Sequence, residues 1–366
     1  MALLNQDNMR YMLKDLKHDV FQYKAKGGFV IIGNKTGLLA NDEIIEIDIR
    51  DDFYTVNDVL LFNQNTNCNI FNIKNKDRLI LENKIVINHR ENDETLALLV
   101  DAKFKNQLYY LDLSENKTLL IIENYDWELC FVNYKTLFIY YRSHIKSINL
   151  DSGKYLWETD LSDYCKILSV SNEPAQGMIR QVFGVWGDKL WVGFDGNQYA
   201  SLDLLTGKVL QYFKLEDIDE IFQEVNALSP YFDGNNGLLC FLENRIYAEI
   251  NLNTLRVERK KNFVTDNTET DWNFSSNTFS ESHVYFVATR TSSRFSPNYV
   301  GVFDRATMEV VWSKDLELYK LPPVKNMPAR FLAQAPQSDG DKLYVLDTHG
   351  TLHVFEKIEE NEYSQA

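Results

Sequence analysis

Histidine and carboxylate side chains come closest together near the end of the sequence, and metal coordination is the chemistry they could perform. His349 and His353 are four residues apart, and Asp347 precedes the first of them by two. On one straight strand these three positions would share a face, as metal ligands do. Thr348-His349-Gly350, however, is typical of a hairpin tip. We therefore expect the histidines to lie on different strands, and we predict no metal site.

Other catalytic sets are not found at local spacing. The remaining histidines are scattered: His18, His89, His144 and His283. No Ser-His-Asp or Cys-His arrangement can be assembled around them, and no glycine-rich phosphate loop precedes a helix. The cysteines are also far apart: Cys68, Cys130, Cys165 and Cys240. Isolated thiols favour a reducing compartment, so we expect a cytoplasmic protein. Because no catalytic set is found at local spacing, we expect that the protein is not an enzyme and binds no cofactor.

The charge balance restricts the kind of partner. The 366 residues include 53 Asp and Glu against 38 Lys and Arg, a net charge of −15. Such a charge disfavours binding to nucleic acid or to anionic membranes. No apolar run approaches the roughly 18 residues of a membrane span, and the first residues lack a signal-peptide pattern. We expect a monomer that binds a protein, with no nucleic-acid or membrane partner.

One acidic segment has helical periodicity. Leu215, Ile218, Phe222 and Val225 have the spacing of a single apolar stripe. The acids on the opposite side are the first partner-binding candidates: Glu216, Asp217, Asp219 and Glu220. Two interpretations stay open, a solvated helix that covers a sheet edge and an acidic patch that meets a basic partner.

Two further loops, residues 290–299 and 321–331, concentrate basic, aromatic and methionine side chains in an otherwise acidic chain. Several of these residue types are enriched at protein interfaces. The candidates are Arg290, Arg294, Phe295, Lys325 and Arg330. The alternatives are ordinary surface loops and an anion pocket.

A strand-turn-strand repeat positions these loops. Its clearest copies are Ile148–Trp157 and Leu202–Leu210, which each place Asn or Asp before a Gly-Lys turn. Taking the Asn or Asp as marker gives positions 72, 112, 149, 203, 251 and 304, which are 37 to 54 residues apart. Periods of that size are typical of propeller blades or solenoid units.

Each unit predicts four short strands, for example 180–184, 189–194, 198–204 and 208–213 in the unit around Asp203. The last one, within 341–357, provides only a hairpin, while the apolar strand Gly28–Asn34 has no unit of its own. Donating that strand to the last unit would remove two unpaired edges. We therefore predict an all-β fold, a seven-bladed β-propeller of four-stranded antiparallel blades, closed by an N-terminal strand that completes the C-terminal blade.

The propeller is expected to occupy residues 28–358. Residues 1–27 are predicted to form a helical segment, because Met9, Met12, Leu16 and Val20 have helical spacing. Residues 359–366 form a tail.

The Asp-x-x-Thr-Gly-Lys-x-x-Trp pattern at Asn149–Trp157 and Asp203–Leu210, and partly at Asp304–Trp312, resembles the quinoprotein-like (PQQ-like) β-propeller repeat family. As a period, the likeness extends over most of residues 28–358. Enzymes of that family are exported, have eight blades, and hold quinone and calcium through a set that includes adjacent cysteines. Those marks are missing from this sequence, so the resemblance implies the fold and a non-enzymatic member.

The same resemblance implies a role for two tryptophans. Trp157 and Trp312 fall at the position where the family's blade tryptophans dock neighbouring blades. Gln211 and Arg259 occupy that position elsewhere in the chain.

Most of the long insertions are expected on one face of the propeller: 162–178, 214–226, 290–298 and 317–330. Our leading hypothesis is a non-catalytic protein-binding propeller, an immunity-type inhibitor whose loop-rich face neutralises a basic toxin or effector. One alternative is a small-molecule-binding or enzymatic propeller that uses polar groups in the central channel: Arg50, His89, Arg90 and Arg180. Another is a scaffold in complex assembly.

Overall fold

The computed structural model describes part of the chain. The described residues are 10–17, 20–26, 29–34, 37–40, 43–46, 53–56, 59–64, 66–72, 75, 77–86, 90–91, 96–101, 107–113, 117–123, 125, 129–168, 173–223, 229–263, 272–290, 297–318, 331–332 and 334–358.

These residues form almost entirely β-strands. In chain order the first are β1 (Arg10–Lys17), β2 (Val20–Lys26), β3 (Phe29–Asn34), β4 (Gly37–Ala40), β5 (Glu43–Glu46), β6 (Phe53–Val56), β7 (Val59–Gln64), β8 (Asn67–Asn72), β9 (Arg78–Leu81), β10 (Lys84–Val86), β11 (Arg90–Glu91), β12 (Leu96–Asp101), β13 (Leu108–Asp112), β14 (Lys117–Ile122), β15 (Leu129–Asn133), β16 (Thr136–Tyr141), β17 (His144–Asn149) and β18 (Tyr155–Asp160). They are followed by β19 (Lys166–Leu168), β20 (Pro174–Gln176), β21 (Ile179–Trp186), β22 (Lys189–Phe194), β23 (Gln198–Asp203), β24 (Val209–Lys214), β25 (Tyr231–Asp233), β26 (Leu238–Glu243), β27 (Ile246–Asn251), β28 (Arg256–Asn262), β29 (Trp272–Phe279), β30 (His283–Arg290), β31 (Tyr299–Asp304), β32 (Glu309–Asp315), β33 (Gln337–Asp339), β34 (Lys342–Leu346) and β35 (Leu352–Ile358). The helices are α1 (Leu215–Ile218) and two 3-10 turns, Ser162–Tyr164 and Glu220–Phe222.

Most successive strands pair as antiparallel meanders, which resemble the blades of a β-propeller. The exception is the short strand β11, which pairs parallel with β15. Within the described residues they form eight sheets of four or more strands and one two-stranded ribbon, β19-β20. In chain order the larger sheets are β2-β3-β4-β5, β6-β7-β8-β9, β10-β12-β13-β14, β11-β15-β16-β17-β18, β21-β22-β23-β24, β25-β26-β27-β28, β29-β30-β31-β32 and β1-β35-β34-β33. We number them as sheets one to eight.

The chain divides into two compact units. One unit comprises residues 1–49, 241–248 and 259–366, and the other comprises residues 50–240 and 249–258. Sheets two to five belong to the second unit, and sheets one, seven and eight belong to the first. Each unit has its own apolar clusters, centred for example on Val182, Leu190 and Leu202 in one and on Val287, Val302 and Leu343 in the other.

The predicted all-β class and the four-stranded antiparallel sheets are confirmed, whereas the count of seven is not. The additional sheet is β2-β3-β4-β5, where the sequence analysis placed only the isolated strand Gly28–Asn34. That strand was also the wrong donor for the last sheet, because Phe29–Asn34 pairs with β2 and β4. The strand that completes the C-terminal sheet is β1, which pairs antiparallel with β35 from Arg10–Ile358 to Lys17–Leu352.

The predicted N-terminal helix is wrong, since residues 10–17 and 20–26 are strands. A ladder irregularity between Leu13 and Asp15 shifts the alternation of side chains along β1. Met12 and Leu16 pair with Glu356 and His353 on either side of this irregularity, so they lie on opposite faces of β1 and do not form one apolar stripe. Tyr11 is buried and packs on Trp312 with ring centroids 5.2 Å apart. Pairing and packing therefore override the local periodicity.

The marker residues of the repeat accept hydrogen bonds within the turns that lead to the last strand of a sheet. The Asp203 carboxylate accepts hydrogen bonds from the Thr206 N–H and hydroxyl, both at 2.7 Å. Asp304 does the same for Thr307, and Asn149 for Ser152. These bonds hold the pKa of the Asp203 carboxyl below its usual value. The turns need an acceptor here whatever the protein does.

Residues of β18, the outer strand of sheet four, contact the turn between β23 and β24 of sheet five. The Trp157 indole N–H donates to the Leu204 carbonyl oxygen at 2.9 Å, and the Thr159 hydroxyl donates to the Gly207 carbonyl oxygen at 2.8 Å. The role implied for Trp157 is thereby found in the structure. We call this arrangement the inter-sheet lock.

The inter-sheet lock recurs with different side chains. The Arg259 guanidinium donates to the Arg305 carbonyl oxygen at 2.9 Å, and the Lys261 ammonium donates to the Met308 carbonyl oxygen at 2.8 Å. Met308 and Gly207 are equivalent, with φ of 57° and 69°. The position is therefore glycine in Gly207, where the Trp157 indole packs on the turn. It carries a side chain in Met308, where Arg259 replaces the indole.

Candidate protein-interaction face

Long connections meet at one end of sheets four and five. We define the acidic loop cluster as residues 161–167, 173–178, 195–197 and 214–223. Asp195 N–H donates to the Met178 carbonyl oxygen at 3.1 Å, and its carboxylate accepts from the Met178 N–H at 2.9 Å. Leu215 N–H donates to the Asn197 carbonyl oxygen at 3.1 Å. Three chain segments are therefore joined by backbone hydrogen bonds.

The ribbon β19-β20 is fixed to the same end. The Gln198 amide donates to the Lys166 carbonyl oxygen at 2.8 Å, and Gly177 N–H donates to the Cys165 carbonyl oxygen at 2.6 Å. A side chain at Gly177 would lie 2.9 Å from that oxygen, so the close approach needs glycine. Burial raises the pKa of the Cys165 thiol to about 12, with Asp195 and Asp160 adding to the effect.

The acidic segment is not one helix. Leu215–Ile218 forms α1, Asp219 is extended, and Glu220–Phe222 forms a 3-10 turn. The Asp219 carboxylate accepts from the Ile221 N–H at 3.0 Å, so this residue caps the second turn and interrupts the first. Leu215 and Phe222 are buried, as the apolar stripe predicted, and Val225 lies outside the described residues.

The exposed acids form the strongest charge feature of the cluster. The cluster contains seven carboxylates and two lysines. The lysines have partners within it, Lys166 with Asp163 at 2.9 Å and Lys214 with Glu216 at 3.8 Å. Asp217 and Glu220 are exposed and form no ion pair in the described part of the chain. The surface is therefore net negative, with a charge that a basic partner complements.

Aromatic side chains accompany the acids. The rings of Tyr164 and Tyr212 lie 5.2 Å apart, and the Tyr212 hydroxyl donates to the Gln198 amide oxygen. Burial raises the pKa of Tyr212, and the carboxylates of Asp217 and Glu216 raise it further. Met178 is exposed beside the Asp195 turn. Tyrosine and methionine with a charged rim is a composition typical of protein interfaces.

Of the candidates in the two basic loops, only Arg290 is described. Its guanidinium lies over the Trp272 ring, 4.4 Å from the centroid, at the end of β30. The Arg290 side chain is half-buried, so it packs against the Trp272 ring and is only partly exposed to solvent. Arg294, Phe295, Lys325 and Arg330 lie outside the described residues. The flanks of the two loops meet, since Leu332 N–H donates to the Pro297 carbonyl oxygen at 2.7 Å.

The Asp-His group near the C-terminus forms a closed structural unit. His353 Nε2 lies 2.9 Å from Asp347 Oδ2, and both side chains are buried. The other carboxylate oxygen of Asp347 accepts from the N–H groups of His349 and Thr351 at 2.9 and 3.2 Å. The hairpin turn is found at 348–350 as predicted, but His349 lies within it and only His353 lies on a strand, β35, so the expectation that the two histidines lie on different strands is wrong. Among the described residues, no group of three or more potential metal ligands was found.

The residues suggested for a central channel are largely undescribed. Arg50 and His89 lie outside the described residues, and only the backbone of Arg90 is described. Arg180 is exposed and pairs with Asp195 of the acidic loop cluster. In the part of the chain that the structure covers, no helix is long and apolar enough to cross a membrane.

Comparisons with known proteins bear on the fold. No protein-family model matches the sequence, and no curated protein matches it. Among solved structures, the computationally designed Ika8 protein aligns with a TM-score of 0.55 and 12% identity over 93% of this chain and 96% of that one. BamB from Moraxella catarrhalis aligns with a TM-score of 0.49 and 9% identity over 95% and 98%. At such identities the similarity to Ika8 concerns the fold alone.

Proposed function

We propose that this chain is a non-catalytic protein-binding scaffold whose acidic loop cluster docks a basic protein partner. The observation that carries the proposal is the cluster itself, in which backbone hydrogen bonds join the connections that carry Asp217 and Glu220, both exposed and without an ion pair among the described residues. A rigid surface loses little entropy on binding, and its negative field accelerates encounter with a cationic partner.

Within this class we propose an immunity-type inhibitor, which neutralises a basic toxin or effector by covering its active surface. The support is the net charge of −15 and the composition of the cluster. Steering by complementary charge speeds capture by about 10-fold or more at low salt, and a toxin must be captured quickly.

The test is a charge reversal with a matched control. The variant Glu216→Lys/Asp217→Lys/Glu220→Lys changes three exposed acids of the cluster. The control Asp151→Lys/Glu258→Lys/Glu281→Lys makes the same change of charge at exposed positions outside it. Wild type and both variants are used as bait in extract of the source cells, and retained proteins are identified by mass spectrometry.

The proposal predicts one basic protein that wild type and control retain and that the cluster variant loses. With that partner purified, the association rate of the cluster variant should fall at least about 10-fold at low salt, and the difference should shrink as salt rises. Equal capture by all three baits would reject the site. A captured protein that is harmless when produced alone would reject the inhibitor role and leave the scaffold.

A further inference from the structure

The outer strand of sheet two, β9, has an exposed edge. In the sheet order β6-β7-β8-β9 no described strand lies beyond it. Leu79 and Ile80 are 40% and 48% exposed. A strand edge with free N–H and C=O groups is a template for another strand.

We call the edge strand at the same end of each sheet as β9 its outer strand. Most of the other outer strands are interrupted by a bulge. Ladder irregularities occur along β1, β14, β18, β24 and β32. Bulges twist an edge away from straight pairing and so protect it. The ladder of β9 with β8 runs from Arg78–Phe71 to Leu81–Cys68 without a shift. The ladder of β5 with β4 is also regular.

The backbone of β9 shows which groups face the free edge. Asn72 N–H donates to the Asp77 carbonyl oxygen at 2.9 Å. Opposite residues of an antiparallel ladder alternate between hydrogen-bonded and non-bonded pairs. Leu79 and Leu81 therefore bond to β8, whereas Arg78 and Ile80 direct their N–H and C=O groups to the free edge.

We propose that β9 pairs antiparallel with β9 of a second copy of this chain, with the two-fold axis at Ile80. In this register Ile80 faces Ile80, so the two residues that point outward exchange two hydrogen bonds. Leu79 faces Leu81 of the second copy, and Arg78 faces Glu82, the residue that follows β9 and begins the turn to β10. The segment Arg78-Leu79-Ile80-Leu81-Glu82 is therefore complementary to itself in shape and in charge.

Both charged groups are available for this contact. The Arg78 guanidinium donates to the neutral amide oxygens of Asn69 and Gln64, at 2.6 and 3.0 Å for one nitrogen. Within the described residues Arg78 pairs with no carboxylate and Glu82 pairs with no cation, and both are exposed. Opposite charges across an antiparallel pair stabilise it, and like charges destabilise it.

The contact is small. A pair of five-residue segments covers much less than the roughly 1,600 Å² of a standard interface, so we expect a dissociation constant on the order of 100 μM. The monomer expected from the sequence is then the state at low concentration, and the dimer forms as concentration rises.

The test is sedimentation equilibrium of the purified chain between about 5 and 500 μM, with folding of every variant checked by circular dichroism. Ile80→Pro removes an N–H that faces the free edge and no bond to β8, as proline on an edge strand allows. It should abolish dimerisation and leave the monomer folded. Glu82→Arg should raise the dissociation constant at least about 10-fold, and the double variant Arg78→Glu/Glu82→Arg should restore it.

The matched control is Leu120→Lys on the bulged strand β14, where the side chain is 45% exposed. It should dimerise like wild type. If Ile80→Pro fails to fold, the comparison of Glu82→Arg with the double variant Arg78→Glu/Glu82→Arg decides the outcome. A monomer at every concentration, or a dimer that neither Ile80→Pro nor Glu82→Arg weakens, would overturn the proposal.

Discussion

The inter-sheet lock predicts that one glycine is required for steric as well as conformational reasons. Gly207 has φ of +69°, and a Cβ there would lie 2.5 Å from Trp157 Cε3 and 2.6 Å from Thr159 Oγ1. The indole cannot withdraw freely, because it is buried and packs on Phe138 with centroids 5.9 Å apart. We therefore expect Gly207→Ala to lose stability by two independent effects.

The magnitude follows from a comparison within the chain. Gly187 has a similar φ of +58°, but a Cβ there would meet nothing within 4 Å. Gly187→Ala should cost only the left-handed backbone term, about 1–2 kcal/mol. Gly207→Ala adds over-packing against a buried ring, about 1–3 kcal/mol more. The difference between the two variants measures the steric part alone.

The assay is urea unfolding at 25 °C followed by circular dichroism, with both variants compared to wild type. In a Trp157→Leu background the excess cost of Gly207→Ala should fall, because the ring that it meets has been removed. Equal losses of free energy in Gly187→Ala and Gly207→Ala, within about 0.5 kcal/mol, would refute the reasoning.

Three further predictions concern the turns and buried groups. Asp203→Ala removes both acceptor contacts to Thr206 and should lower the midpoint of urea unfolding at pH 7. Because folding lowers the pKa of Asp203, its contribution is present above the unfolded pKa and is lost as pH falls through the folded value, so wild type and variant should converge in acid. The Cys165 thiol, with its pKa raised to about 12, should resist a thiol reagent at pH 8 until the protein unfolds; rapid labelling of the native protein would contradict this. Asp347→Ala should cost about 1–3 kcal/mol, because it leaves the buried His353 ring without its partner, and an unchanged urea midpoint would count against it.

The repeat made the regular part of the fold predictable. In sheet five the sequence placed strands at 180–184, 189–194, 198–204 and 208–213, and the structure has them at 179–186, 189–194, 198–203 and 209–214. Asp203 and Gly207 mark the turn there, and the alternation of side chains is clear on both sides. In this part of the chain, the turn residues and the alternation of side chains were sufficient to predict where the strands begin and end.

The N-terminal strands were not predictable by the same signals. They lack the Asp-x-x-Thr-Gly turn, and Met12 and Leu16 have the spacing of one helical face although the irregular ladder places them on opposite faces of β1. The partner of β1 is β35, at the other end of the sequence. Neither local periodicity nor turn residues carry information about such a distant partner.

The candidate site was predictable in its charge and not in its geometry. The sequence indicated the acids of 216–220, but Asp219 caps a turn and breaks the helix that the apolar stripe suggested. The contribution of Asp195, Met178 and Tyr212 was missed, because their proximity depends on hydrogen bonds between separate connections. Arg290 matched an interface residue by type, but its contact is with Trp272.

The pairing of β1 with β35 has a consequence during translation. At about 5–20 residues per second, the 334 residues between Lys17 and Leu352 take roughly 20–70 s to synthesise. Throughout that interval the nascent chain carries Met12, Leu13 and Leu16 on a segment whose partner strand has not yet been made. Strand β1 is thus among the last of the described strands to reach its native place, and the sheet that it completes can form only after β35 has been synthesised.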